Sequence, residues 1–380
     1  MTVTPDLPRS FPAGRLRILT VLKTSKPARF SLLTVYIGCA FSGMSVAIFG
    51  CLATWISHDL GLSSVASGGC QASFFGGLLI GSLAMGRLLG ICPSRYCWLI
   101  GMGCTVLGCL LTSVASLPIL LLGRALAGFG LSATMLFAMG LIVAVCPDRA
   151  SLLLNLLQAC TAGSAALTLA VGRPVAEMLS SWSAVLWLIG GLSVVPMIVA
   201  VVLPGMSEIA ADKAVGFRSL FRVAAHPLLL PLLVALVVYV SLEQSVTVFL
   251  PVYLEEQVQI VSTTATGITA MLWLGLIAGR VCSAMVGKRL GEGLQIIFGG
   301  LGMCLCIMLV MFVSDVPTLM VLTFLTGVMG GPIIPLAFAS SAKRLPGTCN
   351  AAMTVCQLCC SAGGMLGPLV TGSVYQVFIR

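Results

Sequence analysis

Residues 183–204 read SAVLWLIGGLSVVPMIVAVVLP and contain no charged side chain. Apolar runs of about 20 residues have the length that a membrane-spanning helix requires. The whole chain shares this character, because 59% of its 380 residues are hydrophobic and only 8% are charged. A soluble protein of this size would need more polar material to cover its surface, whereas lipid solvates apolar side chains. Because backbone groups in lipid must hydrogen-bond to one another, these runs predict an all-α integral membrane protein.

Similar runs recur along the chain and predict eleven spans. They lie at 31–56, 64–89, 96–116, 118–145, 151–178, 183–204, 228–253, 263–287, 293–314, 317–341 and 349–378. The longest polar interval after the N-terminal region divides them into six and five. We therefore expect a tail at 1–30, a six-helix bundle at 31–204, a linker at 205–227 and a five-helix bundle at 228–380.

The distribution of basic residues predicts the orientation. If the N-terminus is cytoplasmic, the tail, the inward connections and the adjoining helix ends hold 17 of the 20 lysines and arginines. Basic residues concentrate on the cytoplasmic side of membrane proteins. We expect the tail and the linker to be cytoplasmic, and we expect the protein to lie in the inner membrane of a bacterium. Prolines 5, 8, 12 and 27 make a long amphipathic targeting helix in the tail improbable.

Two segments of the chain resemble each other. Residues 83–95 read LAMGRLLGICPSR and residues 276–288 read LIAGRVCSAMVGK, so that glycine-arginine pairs recur at a separation of 193 residues. Matching half-chains are typical of transporters that rock one half against the other, although two helix ends that obey the same charge rule could match by chance. We assign a cytoplasmic gate to Gly86, Arg87, Arg95, Gly279, Arg280 and Lys288.

These features resemble the major facilitator superfamily. The segment from Gly86 to Arg95 is similar to that family's GxxxDRxGRR motif between spans 2 and 3, although Gly90 stands in place of the acid and Pro93 in place of a glycine. Residues 124–130, RALAGFG, are similar to the family's RxxxGxG signature in span 4. The resemblance implies two pseudo-repeated helical bundles and transport by alternating access.

The second half is most similar to the fucose permeases. Residues 239–254, YVSLEQSVTVFLPVYL, and the run from Leu272 to Arg280 carry this likeness. Proton-coupled members use acids in spans 1 and 4, and this sequence has none there, so coupling does not carry over from the family. The family has twelve spans, and here the twelfth is apparently absent because the sequence ends at Arg380.

Polar residues inside the spans are the candidate site, because a charge within a bilayer costs at least about 2.5 kcal/mol. Arg124 in span 4 and Glu243 in span 7 are the main candidates, and the family fold implies that they can pair across the cavity. The alternative is a fixed hydrogen-bond patch of Glu243 and Gln244 that joins two helices. Softer candidates are Tyr36, Gln71, Asn155, Gln158, Gln244 and Gln357.

The functional interpretation is a secondary transporter of a small solute. We expect a monomer in the lipid bilayer that moves a sugar-like or other polar solute, either alone or with protons, and that uses no cofactor, metal or nucleic acid. The CxxC spacing of Cys356, Cys359 and Cys360 has no histidine or acid near it, and we see no catalytic constellation, so an enzyme is not expected. No GxxxxGK[ST] segment is present, which argues against ATP-driven pumping. Export of an apolar compound, or a sensor or assembly subunit on a transporter scaffold, remain alternatives.

Overall fold

The computed structural model describes residues 26–88, 92–146, 150–202, 217–286, 290–345 and 349–378, and these form thirteen helices. The helices are α1 (Lys26–Leu60), α2 (Ser64–Leu88), α3 (Ser94–Thr112), α4 (Leu117–Val145), α5 (Ala150–Met178), α6 (Trp182–Val202), α7 (Phe217–Ala224), α8 (Leu230–Glu256), α9 (Ser262–Val286), α10 (Glu292–Val310), α11 (Val316–Gly330), α12 (Ile333–Arg344) and α13 (Cys349–Phe378). Within the described residues, eleven stretches are long and apolar enough to cross a membrane. The predicted all-α fold with eleven spans is confirmed.

Two predicted boundaries differ from the structure. The first helix begins at Lys26, inside the predicted tail, whose residues 1–25 lie outside the described part of the chain. The predicted polar linker contains a short helix, α7, with Leu220 and Val223 buried on one face and Phe221 and Arg222 exposed on the other. An amphipathic helix of this kind buries its apolar stripe against the bundle, so part of the linker is ordered by packing.

The tenth span is interrupted in its middle. The span consists of α11 and α12, which are separated at Gly331 and Pro332. Proline lacks the backbone N–H that would continue the helical hydrogen-bond ladder. At the other end of α11, the Asp315 side chain accepts a hydrogen bond of 3.0 Å from the Thr318 N–H and caps the helix.

Helices α1–α6 form a first half and helices α8–α13 a second half, which meet along the pairs α1 with α8, α2 with α13, and α5 with α9. We call the side that carries the 205–227 linker the linker side, and the opposite side, where α1 ends at Leu60 and α8 at Glu256, the far side. A buried apolar cluster extends from Phe49 of α1 to Phe249 of α8 and Trp273 of α9. The two halves are therefore packed together from the middle of the spans toward the far side.

Glycine permits the closest approach of the halves. A Cβ atom on Gly50 of α1 would lie 2.3 Å from the carbonyl oxygen of Thr247 in α8. A Cβ atom on Gly68 of α2 would lie 2.2 Å from the carbonyl oxygen of Pro368 in α13. Small residues at such crossings let helix backbones come together in a membrane. On the far side, a depression of about 530 Å³ remains between the ends of α1 and α8, with Ser57 and Glu255 in its lining.

Candidate functional site

Arg124 lies in the interior of the first half with only 1% of its surface exposed. Its Nη1 donates to the carbonyl oxygen of Ser45 at 2.6 Å, and its Nη2 donates to Oε1 of Gln71 at 2.7 Å. The guanidinium carbon also lies 4.5 Å from the ring centroid of Phe74 and 5.8 Å from that of Phe49. Carbonyl and π contacts of this kind compensate in part for the lost hydration of a cation. The buried charge is thus held by α1, α2 and α4 together.

The hydrogen bonds continue from Arg124 into the second half. The amide nitrogen of Gln71 donates to the carbonyl oxygen of Val46 at 3.2 Å and to Oε1 of Gln244 at 3.0 Å. The amide nitrogen of Gln244 then donates to Oε1 of Glu243 at 3.0 Å. We call Arg124, Gln71, Gln244 and Glu243 the central chain. It crosses from the first half to the second through the bond between two glutamine side chains.

The carboxylate of Glu243 is fully engaged by donors from its own helix. Its Oε2 accepts a short hydrogen bond from the Tyr239 hydroxyl, one helical turn earlier, while Oε1 accepts the bond from Gln244. Only 5% of the Glu243 surface is exposed, and 4% of that of Tyr239. A buried carboxylate with both oxygens bonded avoids most of the penalty of an unsatisfied charge.

The expected direct pair of Arg124 and Glu243 is wrong in its geometry. Among the described residues, the ion pairs within 4.0 Å are His58–Asp59, Arg173–Glu177 and Lys343–Glu292. The two charges are connected instead through two neutral amides, because Gln71 occupies the space between α4 and α8. In the structure a Glu243–Gln244 patch joins α8 to α2, and Gln71 links this patch to Arg124. Of the residues of this network, sequence analysis had not proposed Tyr239, although its spacing of four from Glu243 was a usable signal.

The other predicted binding residues lie away from the central chain. Among the described residues, the hydrogen bonds of that chain include neither Tyr36, Asn155, Gln158 nor Gln357. The Tyr36 hydroxyl donates to the carbonyl oxygen of Leu153 at 2.6 Å and joins α1 to α5. Asn155 is exposed on α5, whereas Gln158 and Gln357 are half-buried. Their role in binding stays a prediction.

The predicted gate residues that the structure describes differ in exposure and packing. Arg87 is exposed near the end of α2, whereas Arg95 is half-buried in α3. Gly279 has a packing role within the second half, since a Cβ atom there would lie 2.2 Å from the Val328 carbonyl oxygen. Gly86 lies in α2, and Lys288 lies outside the described residues.

Arg280 differs from its repeat counterpart Arg87. It was expected at the linker-side end of the span, and in the structure it is half-buried in α9, whereas Arg87 is exposed in α2. Its Nη1 reaches the Gln158 carbonyl oxygen of α5 at 3.4 Å. Its guanidinium is also near enough to interact electrostatically with the carboxylate of Glu243. Arg280 is therefore part of the interface between the halves.

Within the described ranges, no three histidine, cysteine, aspartate or glutamate side chains are grouped so that they could hold a metal ion. Cys356, Cys359 and Cys360 lie on α13 as free thiols, and two of them are buried. The chemistry that the described site offers is hydrogen bonding, charge and proton binding.

This arrangement of two packed helical halves with a polar connection between them defines a membrane transport protein. The profile of the Major Facilitator Superfamily matches residues 35–368. The chain belongs to this superfamily. It is a secondary transporter and not an enzyme.

Solved transporter structures share the fold at low sequence identity. The bacterial homologue of the human lysosomal transporter Spinster, in an inward-facing and unoccupied conformation, is 14% identical with a TM-score of 0.75, and the match covers 94% of this chain and 84% of that chain. Its inward-facing and occupied form is 15% identical with a TM-score of 0.74, covering 93% and 83%. An aspartate-to-alanine mutant of the nucleoside transporter NupG is 11% identical with a TM-score of 0.76, covering 93% and 92%. No curated protein sequence matches the chain significantly.

Proposed function

We propose that this transporter takes up a small polar, sugar-like solute together with protons, and that Glu243 is the proton-binding group. The observation that carries the proposal is the bond of 3.0 Å between Gln71 and Gln244, through which the acid is connected to the opposite half. Glu243 stands at the midpoint of the apolar span Leu230–Glu256. A group at this depth can be exposed to either side as access alternates.

The direction of every bond in the central chain is set by its two ends. Arginine only donates hydrogen bonds, and an ionised carboxylate only accepts them. Gln71 therefore receives from Arg124 through its oxygen and donates through its nitrogen, and Gln244 repeats this orientation toward Glu243. Bonds that point the same way polarise and strengthen one another. A change of charge at Glu243 consequently reaches the contact between the halves.

Protonation of Glu243 would weaken this connection. A hydrogen bond to a charged group contributes about 1.5–3 kcal/mol, and one between neutral groups about 0.5–1.5 kcal/mol. The loss of about 1 kcal/mol from the Gln244 bond shifts a two-state equilibrium about fivefold. The groups that face Glu243 are Tyr239 and Gln244 on α8, Arg280 on α9 and Cys360 on α13.

The polar character of the midplane supports a polar solute rather than an apolar one. Gln71, Gln244 and Glu243 place amide and carboxylate groups where an exporter of apolar compounds would use apolar walls. The likeness of the second half to fucose permeases points in the same direction. Symport with the inward proton gradient of a bacterial inner membrane would drive uptake of the solute.

The test is transport by the purified protein in proteoliposomes. A panel of labelled sugars and other polar solutes is offered with an acidic exterior, and two quantities are measured, namely accumulation driven by the pH gradient and exchange without a gradient. We expect at least one solute to accumulate, and a proton ionophore to abolish the accumulation but not the exchange.

The variant Glu243→Gln keeps the shape of the side chain and removes the titration. We expect it to retain exchange and to lose accumulation. Glu177→Gln is the matched control, because Glu177 lies near the far end of α5 and pairs with Arg173. Wild-type pH dependence in Glu243→Gln would remove this residue from the mechanism. Binding of a solute without any movement across the membrane would favour the sensor interpretation.

A further inference from the structure

Two donors without acceptors lie on one face of α9. The Nε atom of Arg280 and the Nε1 atom of Trp273 are both buried and have no hydrogen-bond partner among the described residues. The two residues are seven positions apart, which places them two turns from each other on the same side of the helix, about 10 Å along its axis. Between them, Ile277 packs toward Gly163 of α5. This face of α9 is therefore directed at the first half.

Both side chains can only donate hydrogen bonds. Indole has a single N–H, and guanidinium has five N–H groups and no acceptor. The one recorded hydrogen bond of Arg280, to the Gln158 carbonyl oxygen at 3.4 Å, is long, and it uses one of the five. Buried donors without partners cost about 1–3 kcal/mol each, and more when they are charged. A ligand that satisfies this face must supply acceptors.

The charges of the membrane interior do not balance. Away from the ends of the described spans and apart from the Arg173–Glu177 pair, the cations are Arg124 and Arg280, and the acid is Glu243. Glu243 already has both oxygens bonded by Tyr239 and Gln244, and its connection to Arg124 is made through Gln71. Neither Arg124 nor Arg280 has an anion within 4.0 Å in the described part of the chain, and the one carboxylate of Glu243 leaves one positive charge in excess.

We infer that the transported solute carries an anionic group, a carboxylate or a phosphate, that binds to Arg280. Other oxygens of the solute accept a hydrogen bond from Trp273. This inference rests on the proposed transport function and names its substrate class. The planar guanidinium holds a carboxylate or phosphate through two parallel bonds, which a lysine cannot reproduce. An anion at this position also offsets the excess positive charge. Because Nε is closed off by α5 in this conformation, binding requires α5 and α9 to separate, as they do when the halves rock.

The inference is tested by binding, which needs neither a gradient nor transport. Thermal unfolding of the purified protein in detergent is followed with pairs of compounds that differ in charge alone: glucose with glucuronate, galactose with galacturonate, and glycerol with glycerol 3-phosphate. We expect the acidic member of at least one pair to raise the unfolding temperature while its neutral member does not. The pair that responds distinguishes carboxylate from phosphate.

Variants then assign the binding to Arg280. Arg280→Gln should weaken the apparent affinity for the acidic member at least about tenfold, the loss expected for a hydrogen bond to a charged group. Arg280→Lys should fold and retain part of the affinity, and Trp273→Phe should weaken it less than Arg280→Gln. Arg222→Gln is the control, because Arg222 is exposed on α7. The inference is overturned if neutral members stabilise equally, if no acidic member stabilises, or if Arg280→Gln keeps the wild-type affinity. Failure of gradient-driven accumulation with these results intact would instead overturn the proton coupling.

Discussion

Replacement of Gly68 by alanine should hold the two halves apart. Gly68 belongs to α2 in the first half, and an added Cβ atom would lie 2.2 Å from the carbonyl oxygen and 2.9 Å from the carbonyl carbon of Pro368 in α13. Ordinary contacts of a Cβ atom begin near 3.4 Å. The obstacle is backbone and cannot rotate away, so the two helices must separate by about 1 Å at this point.

The magnitude follows from the overlap. An extra methyl group in a well-packed interface costs about 1–3 kcal/mol. If the added methyl group lay within one half, its cost would appear as lost stability. Because it lies between two halves that can move, opening of the far side can relieve the overlap. The population of the state with a closed far side should then fall about 5- to 150-fold relative to the open state.

The neighbouring glycine provides a matched control. A Cβ atom on Gly69 would meet nothing within 4 Å, so Gly69→Ala gains the same helix propensity as Gly68→Ala, about 1 kcal/mol, without the clash. Hydrogen exchange of the two variants, read by mass spectrometry, compares the peptides that contain the far-side ends of α1, α2, α8 and α13. We expect faster exchange of these peptides in Gly68→Ala alone, together with slower solute exchange. Identical exchange and transport in the two variants would refute the reasoning that this crossing closes the far side.

Two further predictions concern the central chain and the orientation. Gln71→Met removes the acceptor of Arg124 and the donor to Gln244 at nearly constant side-chain volume. We expect this variant to have a lower unfolding temperature and weaker pH-driven accumulation, with solute exchange retained. Full proton coupling in this variant would exclude Gln71 as a connection between the charges. A reporter active only in the cytoplasm should be silent when fused after Arg380 and active when inserted in the 205–227 linker, and the reverse pattern would contradict the predicted topology.

The helices were predictable because composition alone decides them. Each apolar run can satisfy its backbone groups only as a helix in lipid, and the length of the run fixes where it crosses. The break between α11 and α12 lies at Gly331 and Pro332, because proline lacks the backbone N–H that a regular helical hydrogen-bond ladder requires. By contrast, the order in α7 depends on a surface of the bundle against which Leu220 and Val223 pack, and no local pattern contains that surface.

The candidate site was predictable in its residues but not in its connections. Arg124 and Glu243 stand out because an ionisable group in a span is costly. Their separation depends on the rotation of α2 and α8 about their axes, which decides whether Gln71 lies between the charges. The residues that form that contact, Gln71 and Gln244, are 173 positions apart and belong to different halves. Hydropathy records the depth of a residue and carries no information on such rotations.

The internal repeat explains why the two halves can share a fold and differ in chemistry. Arg87 and Arg280 occupy the same register, yet Arg87 is exposed, whereas Arg280 is half-buried and reaches α5. The buried cation of the first half, Arg124, makes two short hydrogen bonds, to Ser45 and Gln71, and lies over the ring of Phe74, although its Nε has no acceptor among the described residues. The cation of the second half has one long bond and a buried donor without an acceptor. Because Arg280 makes fewer and longer hydrogen bonds than Arg124, a ligand or a change of conformation can gain more binding energy in the second half than in the first.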